Sequence, residues 1–269
     1  MQVADKTFVV TGAGNGIGRE VALELLRRGA RVAGVDISGA ALTETAGLAG
    51  VGDRFSEHAV DLTDRERVAE LPEAVVAAHG AVDGLINVAG IIQRFVPVAE
   101  LSFEDIEKVI NVNVWGTLNI NKVFLDLLLA RPEASLVNVS SMGGLTPFPG
   151  QTAYSASKGA VKLWTEGLQA ELAGTQVAVI VVFPGAIATD IARLSGVSDA
   201  SADTADSKIK MTSAPDAGRQ IVEAVASGKP RVRIGSDAKL LDRLSRLMPT
   251  KAIQMIAKKM ASAGESVNS

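Results

Sequence analysis

Cysteine is missing from this sequence, and imidazole and phenol side chains are scarce. None of the 269 residues is a cysteine, which excludes disulfides and thiolate metal sites and favours a cytoplasmic location. Only His58 and His79 provide imidazoles, so we expect neither a His-rich zinc site nor His-centred catalysis, and no bound metal. Tyrosine occurs once, as Tyr154, so any chemistry that needs a phenol depends on this residue.

Long uncharged apolar runs are also absent, although 47% of the residues are apolar. No run reaches the ~18 residues that suggest a bilayer span, so no integral membrane association is expected. Residues 1–6 lead directly into an apolar strand pattern, without the basic and long apolar regions of a secretory signal. The net charge of −3 argues against a nucleic-acid partner.

Positive charge is concentrated near the C-terminus. Residues 229–260 contain nine Lys or Arg against Asp237 and Asp242, a net charge of +7. A segment of this kind is typical of a solvated face or a subunit contact, with a membrane-surface helix as the alternative. We expect a soluble protein.

Apolar runs of strand length alternate with helical patterns along the chain. The run Val177–Phe183 has seven consecutive apolar residues, as in a strand covered on both faces. This alternation predicts an α/β fold: a Rossmann-like, doubly wound parallel sheet of about seven strands between two helical layers. The predicted strands are 6–11, 31–35, 55–60, 82–87, 136–139, 177–183 and 231–234.

A glycine-rich turn follows the first predicted strand, at Thr11–Gly18. Gly12, Gly16 and Gly18 fit the spacing G-x-x-x-G-x-G, whereas G-x-G-x-x-G does not fit because its last position is Ile17. Such a turn between a strand and a helix lets backbone N–H groups approach a pyrophosphate at the helix N-terminus. A glycine-rich turn that binds nothing is the alternative.

Acidic residues end the second and third predicted strands. Asp36 lies 18 residues beyond Gly18, close to where an acidic side chain binds the adenosine ribose of a dinucleotide. No Lys or Arg adjoins it, and its carboxylate would repel a 2′-phosphate, which favours NAD over NADP. A helix N-cap is the alternative for Asp36. Asp61 fits either a contact to adenine or the start of the next helix.

Tyr154 and Lys158 are four residues apart in a segment with a helical pattern. Side chains at this spacing project from one face of a helix. A nearby ammonium favours phenolate, and would lower the pKa of Tyr154 from about 10 towards a value useful in acid–base catalysis. By itself, the pair also fits an ordinary surface helix.

Taken in order, these residues resemble the short-chain dehydrogenase/reductase family, in its single-domain branch. Ser141 precedes Tyr154 by 13 residues, the family's usual interval. Val88 departs from the family's usual Asn, which puts one local hydrogen bond in doubt. The matching motifs are TGAGNGIG at 11–18, NVAG at 87–90, Asn113, Ser141, YSASK at 154–158 and PGAIAT at 184–189.

The resemblance implies NAD as the cofactor, with NADP less favoured, and implies a role for each matching position. The implied cofactor-binding residues are Gly12, Asn15, Gly16, Ile17 and Gly18 at the pyrophosphate and ribose, Asp36 at the adenosine ribose, Asp61 and Leu62 at adenine, Asn87, Ala89 and Gly90 at the ribose, Tyr154 and Lys158, and Pro184, Gly185, Ile187 and Thr189 around the nicotinamide.

The resemblance also implies a catalytic set of Asn113, Ser141, Tyr154 and Lys158. Ser141 and Tyr154 would bind the substrate, Ser141 by donating a hydrogen bond to its oxygen and Tyr154 by transferring a proton. Lys158 would lower the pKa of Tyr154 and hold the nicotinamide ribose. Asn113, at a kink in its helix, would seat a water that links Lys158 to solvent. The implied reaction interconverts a secondary alcohol and a ketone.

The expected domain organisation is simple. Residues 1–235 would form the nucleotide-binding catalytic domain, and residues 236–269 a helical extension packed on it, with two amphipathic helices separated at Pro249. The segment 190–213 is rich in Ser, Asp and Ala and is interpreted as a substrate lid, with disorder as the alternative.

The expected pocket walls are mostly apolar and predict a hydrophobic substrate. Gln93 and Arg94 are candidate polar contacts within them. The walls comprise residues 91–95, 142–148 and 190–213, with Ile92, Phe95, Leu145, Phe148, Ile191 and Leu194 as the apolar members.

Two other functions and an assembly are also considered. An epimerase or dehydratase of the extended family would be expected to carry an added C-terminal domain. A catalytically silent NAD-binding regulator would be expected to have lost part of the catalytic set. The resemblance implies a homodimer or homotetramer formed by helices 113–129 and 155–172, with Trp115, Phe124 and Trp164 as candidate interface anchors.

Overall fold

The computed structural model describes residues 1–197 and 211–265 and confirms the predicted α/β sheet. The strands are β1 (Thr7–Thr11), β2 (Arg31–Asp36), β3 (Phe55–Ala59), β4 (Gly84–Asn87), β5 (Ala134–Val139), β6 (Val177–Pro184), β7 (Ile187–Ala188), β8 (Thr212–Ser213) and β9 (Arg231–Ile234). Seven of them form a parallel sheet in the order β3-β2-β1-β4-β5-β6-β9. The order reverses between β1 and β4, and ligands of such sheets bind in the crevice beyond the strand ends there.

Helices cover both faces of this sheet. They are α1 (Gly16–Arg27), α2 (Gly39–Ala49), α3 (Arg65–His79), α4 (Phe103–Ile110), α5 (Gly116–Leu129), α6 (Thr152–Glu171), α7 (Ile191–Leu194), α8 (Ala214–Ser227), α9 (Ser236–Leu247) and α10 (Pro249–Glu265). Among the described residues, no helix combines the length and the apolar character that a membrane span requires.

Alternate side chains of each strand build the two halves of the core. Val10 of β1 packs in a cluster with residues of α1 and α8, such as Leu25 and Ile221. Val9 belongs to a second cluster, with residues of α3, α5 and α6. Phe124 is fully buried in this second cluster, so its assignment as an interface anchor is wrong.

Strand β4 begins two residues later than predicted, at Gly84. Asp83 is buried, and its carboxylate accepts the Thr7 N–H at 3.0 Å and a hydrogen bond from Arg131 at 2.8 Å. The Asp83 side chain thus joins the starts of β1 and β4 to the chain that enters β5.

Side chains cap the first turns of α4 and α3. Ser102 accepts the Asp105 N–H at the start of α4. Thr63 does not cap α3, because its N–H and hydroxyl both donate to Asp61. Asp64 is the N-cap instead, and its carboxylate accepts two N–H groups of the first turn.

A π-helical turn, Asn111–Trp115, joins α4 and α5 into one continuous path. Single π turns inside helices are frequent at functional sites. This turn contains Asn113, whose side chain is fully buried. The kink expected at Asn113 therefore has a structural cause.

The C-terminal helices α9 and α10 separate at Pro249, as predicted. Asp242 of α9 is buried and pairs with Arg231 and Arg233 of the edge strand β9, at 2.6 and 3.1 Å. Arg231 also pairs with Glu166 of α6 at 2.7 Å. These ion pairs attach α9 to the edge of the sheet.

Part of the predicted lid lies within the described chain. Helix α7 begins it, and β8 near its end pairs with β7. Residues 198–210, which form most of the predicted lid, lie outside the described residues.

Candidate active site

The glycine-rich turn after β1 has a backbone that excludes side chains. Gly12 and Gly16 have φ angles of 69° and 51°, in the left-handed region that favours glycine. A Cβ on Gly12 would lie 3.0 Å from the Ala89 N, and one on Gly18 would collide with the carbonyl of Gly12. This close packing brings the N-terminus of α1 against the ends of β1 and β4, and it forms a cradle that fits a phosphate group.

Asn15 and Ile17 take different positions around this cradle. Asn15 is the N-cap residue of α1, and its carbonyl accepts the Arg19 N–H at 3.0 Å. Ile17 packs against the buried cluster beneath α1. Ile17 therefore anchors the helix start, while Asn15 lies at the rim of the turn.

Asp36 stands at the end of β2 beside the same turn. One carboxylate oxygen accepts the Gly14 N–H at 2.9 Å, and the other accepts the Ser38 N–H at 3.0 Å. Ser38, not Asp36, is the N-cap of α2. The carboxylate is thus fixed next to the cradle, and the N-cap alternative for Asp36 is wrong.

Asp61 and Leu62 follow β3 on the outer side of the crevice. Asp61 is exposed, and its Oδ1 accepts the N–H and the hydroxyl of Thr63, both at 2.8 Å. Leu62 is buried against Gly116, and its carbonyl accepts a hydrogen bond from Asn119. The Asp61 side chain therefore shapes the turn before α3, but it does not start that helix, whose N-cap is Asp64.

The segment after β4 is held against the glycine-rich turn by Thr11. The Thr11 hydroxyl accepts the N–H groups of Val88 and Ala89 at 3.1 and 3.2 Å. Val88 therefore keeps a backbone hydrogen bond in spite of the departure from Asn. Asn87 is buried, and its amide donates to Asn138 at 2.7 Å, so its side chain faces the interior of the sheet.

Gly90 brings this segment next to the candidate catalytic groups. A Cβ on Gly90 would lie 2.9 Å from Lys158 Nζ and 3.1 Å from Asn113 Oδ1. Only a glycine fits there without displacing the lysine.

The loop Pro184–Thr189 closes the opposite side of the crevice. Thr189 faces the glycine-rich turn, since a Cβ on Gly16 would lie 3.6 Å from its methyl group. Asp237 supports the loop from α9 by accepting the Ala186 N–H at 2.7 Å. A side chain on Gly185 would collide with the Asp237 carboxylate. Helix α9 thus supports this loop through Asp237.

Tyr154 and Lys158 lie on α6, next to the end of β5. Lys158 is 4% exposed, and its ammonium donates to the Val139 carbonyl at 3.1 Å. Ser140 donates to the Lys158 carbonyl at 2.7 Å, and the Ser141 side chain lies close enough to the Tyr154 phenol to affect its pKa. The structure therefore brings Ser141, Tyr154 and Lys158 together at the carboxyl end of the sheet.

Burial controls the ionisation of both α6 side chains. It lowers the pKa of Lys158 to about 8, so the ammonium form still dominates at pH 7. Burial also raises the pKa of the Tyr154 phenol, an effect that the nearby Ser141 side chain opposes. In the protein alone the pKa of Tyr154 therefore moves in the direction opposite to the expected one, because burial is its largest cause.

Asn113 links the π turn to two segments that border the site, the one after Gly90 and helix α6. Its amide accepts the Ile91 N–H at 2.8 Å and donates to the Ile91 carbonyl at 2.9 Å. The same Nδ2 donates to Ser157 at 2.9 Å, and Ser157 donates in turn to the Tyr154 carbonyl. Asn113 thus holds the segment after Gly90 against α6.

The candidate polar contacts of the pocket have other partners. Gln93 is 3% exposed and bonds to the backbone of residues 150 and 154, so its prediction as a substrate contact is wrong. Arg94 pairs with Asp105 at 3.1 Å. Ile92 donates its N–H to Ser195 at 3.0 Å, which places the start of the predicted lid over this wall.

The contacts through which Gln93 and Asp237 shape this site have no recognisable sequence signal. Gln93 and Asp237 act through contacts with residues 61 and 51 positions away. No group of three or more metal-ligating side chains occurs in the described part of the chain.

Known proteins resemble this chain in sequence and in architecture. A family model described as short chain dehydrogenase matches residues 6–197. The Mycobacterium tuberculosis protein SadH is 38% identical over 260 residues, which cover 94% of each chain. The structure of a Burkholderia phymatum short-chain dehydrogenase/reductase in complex with NAD has a TM-score of 0.82 and 26% identity, over 96% of this chain and 97% of that one. A Burkholderia cenocepacia short-chain dehydrogenase in complex with NADP has a TM-score of 0.80 and 28% identity, over 95% and 99%.

A doubly wound fold with these matches defines a class of nicotinamide-dependent enzymes. The chain belongs to the short-chain dehydrogenase/reductase family and is an oxidoreductase of that family.

Proposed function

We propose that this protein is an NAD(H)-dependent dehydrogenase that interconverts a secondary alcohol and a ketone. The observation that carries the proposal is the convergence of Ser141, Tyr154 and Lys158 beside the glycine-rich cradle. Alcohol oxidation requires a base at the alcohol proton and a donor at the oxygen where charge changes. The phenol and the Ser141 hydroxyl meet these two requirements.

The cofactor-binding residues would act mainly through backbone and shape. The cradle of Gly12, Gly16 and Gly18 would hold a pyrophosphate. Ala89 and Gly90 would contact a ribose, and Ile187 and Thr189 would hold a carboxamide. A bound nicotinamide would supply the hydride chemistry.

The proton would be transferred at the Tyr154 Oη. In the oxidation direction the phenolate accepts the alcohol proton, and in the reduction direction the phenol returns it to the carbonyl oxygen. Ser141 donates a hydrogen bond to the same substrate oxygen. Because burial raises the pKa of Tyr154 in the protein alone, oxidation requires nearby positive charge, which the Lys158 ammonium provides when the ribose and the substrate fill the site.

Asp36 supports NAD as the preferred nucleotide. Its carboxylate is fixed beside the cradle by Gly14 and Ser38, so a 2′-phosphate at the adenosine ribose would meet a negative charge. One similar structure contains NAD and another contains NADP, so the preference rests on Asp36 itself.

The described walls support a hydrophobic substrate. Ser195 accepts the Ile92 N–H and donates its own N–H to the Ile191 carbonyl, so it joins the walls that carry these two isoleucines. Leu194 is exposed on the same short helix as Ile191. Gln93 and Arg94 are already engaged with protein groups. A pocket of this composition favours an apolar alcohol or ketone over a small, highly charged one.

The test is a screen of secondary alcohols and ketones with NAD(H) and with NADP(H), monitored by the absorbance of the reduced nicotinamide. We expect turnover with NAD(H) on apolar substrates. Preference for NADP(H) would contradict the argument from Asp36. Nucleotide binding without any turnover would contradict the proposed reaction and favour a silent regulator.

A further inference from the structure

Gln93 makes a side-chain connection to the start of the helix that carries Tyr154. The side chain is buried, its Oε1 accepts the Tyr154 N–H at 2.9 Å, and its Nε2 donates to the Gly150 carbonyl at 3.1 Å. The oxygen and the nitrogen of this amide thus bond to backbone groups on the two sides of the turn that leads into α6.

The start of α6 needs this acceptor. The N–H groups of the first turn of a helix have no intrahelical acceptors. The N-cap residue of α6 is Gln151, whose side chain makes no capping hydrogen bond. Tyr154 is the third residue of the helix, so Gln93 fulfils the capping role from a distant segment.

The segment that carries Gln93 is itself fixed. Asn113 bonds to both the N–H and the carbonyl of Ile91, and Ser195 accepts the Ile92 N–H. The Gln151 side chain donates to the Gln93 carbonyl at 2.8 Å. Since three elements hold residues 91–93, the Gln93 amide presents its oxygen to Tyr154 from a rigid support.

We propose that Gln93 is a positioning residue for Tyr154: its amide fixes the first turn of α6 and thereby the place of the phenol relative to Ser141 and the cofactor. The catalytic part of this inference rests on the proposed function. A misplacement of about 1 Å at a reacting group can lower a rate by about 100-fold, so a small shift of this helix start would have a large effect.

The single tyrosine allows a direct test. In Gln93→Met, tyrosinate absorbance during a pH titration reports on Tyr154 alone. Loosening the helix start admits water to the phenol, so we expect its pKa to fall towards its ordinary value. We expect kcat to fall by about 10- to 100-fold, with nucleotide affinity nearly unchanged. Gln169→Met is the matched control, since this α6 glutamine bonds to the carbonyls of Val179 and Pro230, far from Tyr154.

A second variant tests the acceptor oxygen itself and covers a failure of Gln93→Met to fold. Gln93→Glu retains an oxygen for the Tyr154 N–H, and a carboxylate is favourable at a helix N-terminus. We expect it to retain more kcat than Gln93→Met, or, if Gln93→Met does not fold, to fold and remain active.

Two results would overturn the proposal. The first is a wild-type tyrosine titration and kcat in Gln93→Met. The second is a loss of kcat in Gln93→Glu that is at least as large as the loss in Gln93→Met. If Gln93→Met does not fold, an inactive Gln93→Glu takes the place of this second result. If the wild type shows no alcohol turnover at all, the proposed reaction fails, while the tyrosine titration still decides whether Gln93 positions Tyr154.

Discussion

At the residue scale, the burial of Lys158 in the candidate active site lowers the stability of the fold. It is almost fully buried, and burial lowers its pKa from 10.5 to about 8. Its ammonium donates to one backbone carbonyl, at Val139. A buried cation with so little compensation destabilises the fold, as is common for functional groups.

We therefore expect Lys158→Met to raise the free energy of unfolding at pH 7 by about 1–3 kcal/mol while abolishing activity. The gain should shrink between about pH 8 and 10.5. In that range the folded wild type has lost the Lys158 proton and the unfolded chain still holds it, so wild-type stability rises with pH. Urea unfolding at pH 7 and pH 9.5 measures both effects.

Lys162→Met is the control, because Lys162 is one turn further along α6 and pairs with Glu166 at a partly exposed site. Its effect should stay within about 0.5 kcal/mol. A Lys158→Met protein less stable than the wild type at pH 7 would contradict this account of the lysine.

At the scale of elements, the loop Pro184–Thr189 depends on the C-terminal helix α9. Asp237 accepts the Ala186 N–H, and the Gly185 N–H donates to Ile234 at the end of β9. Pairing of β7 with β8 adds two further backbone contacts. A change in α9 should therefore alter nucleotide binding at the proposed nicotinamide end of the site.

Asp237→Ala leaves the Ala186 N–H without its acceptor. We expect nucleotide affinity to fall by about 10-fold and the free energy of unfolding by about 1–3 kcal/mol. Quenching or enhancement of NADH fluorescence on binding measures the first, and urea unfolding the second. Asp237→Asn, which keeps one acceptor oxygen and the shape, should lie between alanine and the wild type. Wild-type NADH affinity in Asp237→Ala would show that α9 does not control the loop.

Local sequence patterns were sufficient for most elements but not for the contacts between them. The apolar run of β6 and the spacing of Gly12, Gly16 and Gly18 determine local structure, so these features could be predicted. The buried face of α5 could not be predicted, since apolar residues lie on more than one side of that helix, and no local pattern shows that Phe124 faces the core. Gln93 and the pKa direction of Tyr154 depend on distant chain segments and on burial, which no local spacing encodes.

At the scale of the whole molecule, apolar side chains remain exposed on α5, α6 and the π turn. Leu163 is 66% exposed, and Trp115 and Trp164 are 45% and 38% exposed. Large apolar side chains exposed on neighbouring elements are typical of subunit interfaces. We propose that it forms the contact of a homodimer or homotetramer.

Leu163→Glu would place an unpaired charge in that contact. We expect it to raise the dissociation constant by at least about 10-fold and to shift the particle towards the monomer in size-exclusion chromatography with light scattering. Leu48→Glu is the control, since Leu48 is equally apolar and 61% exposed on α2. A monomeric wild type at micromolar concentration would reject the proposed assembly.

The proposed reaction as a whole depends on the single phenol of the chain. Tyr154→Phe removes only the hydroxyl and keeps the ring in its partly buried position on α6. The decisive measurement is the turnover of this variant, beside its NADH affinity, on the substrates found for the wild type. The account predicts a loss of kcat of about 100-fold or more, with nearly unchanged NADH affinity. Turnover at the wild-type rate would contradict it.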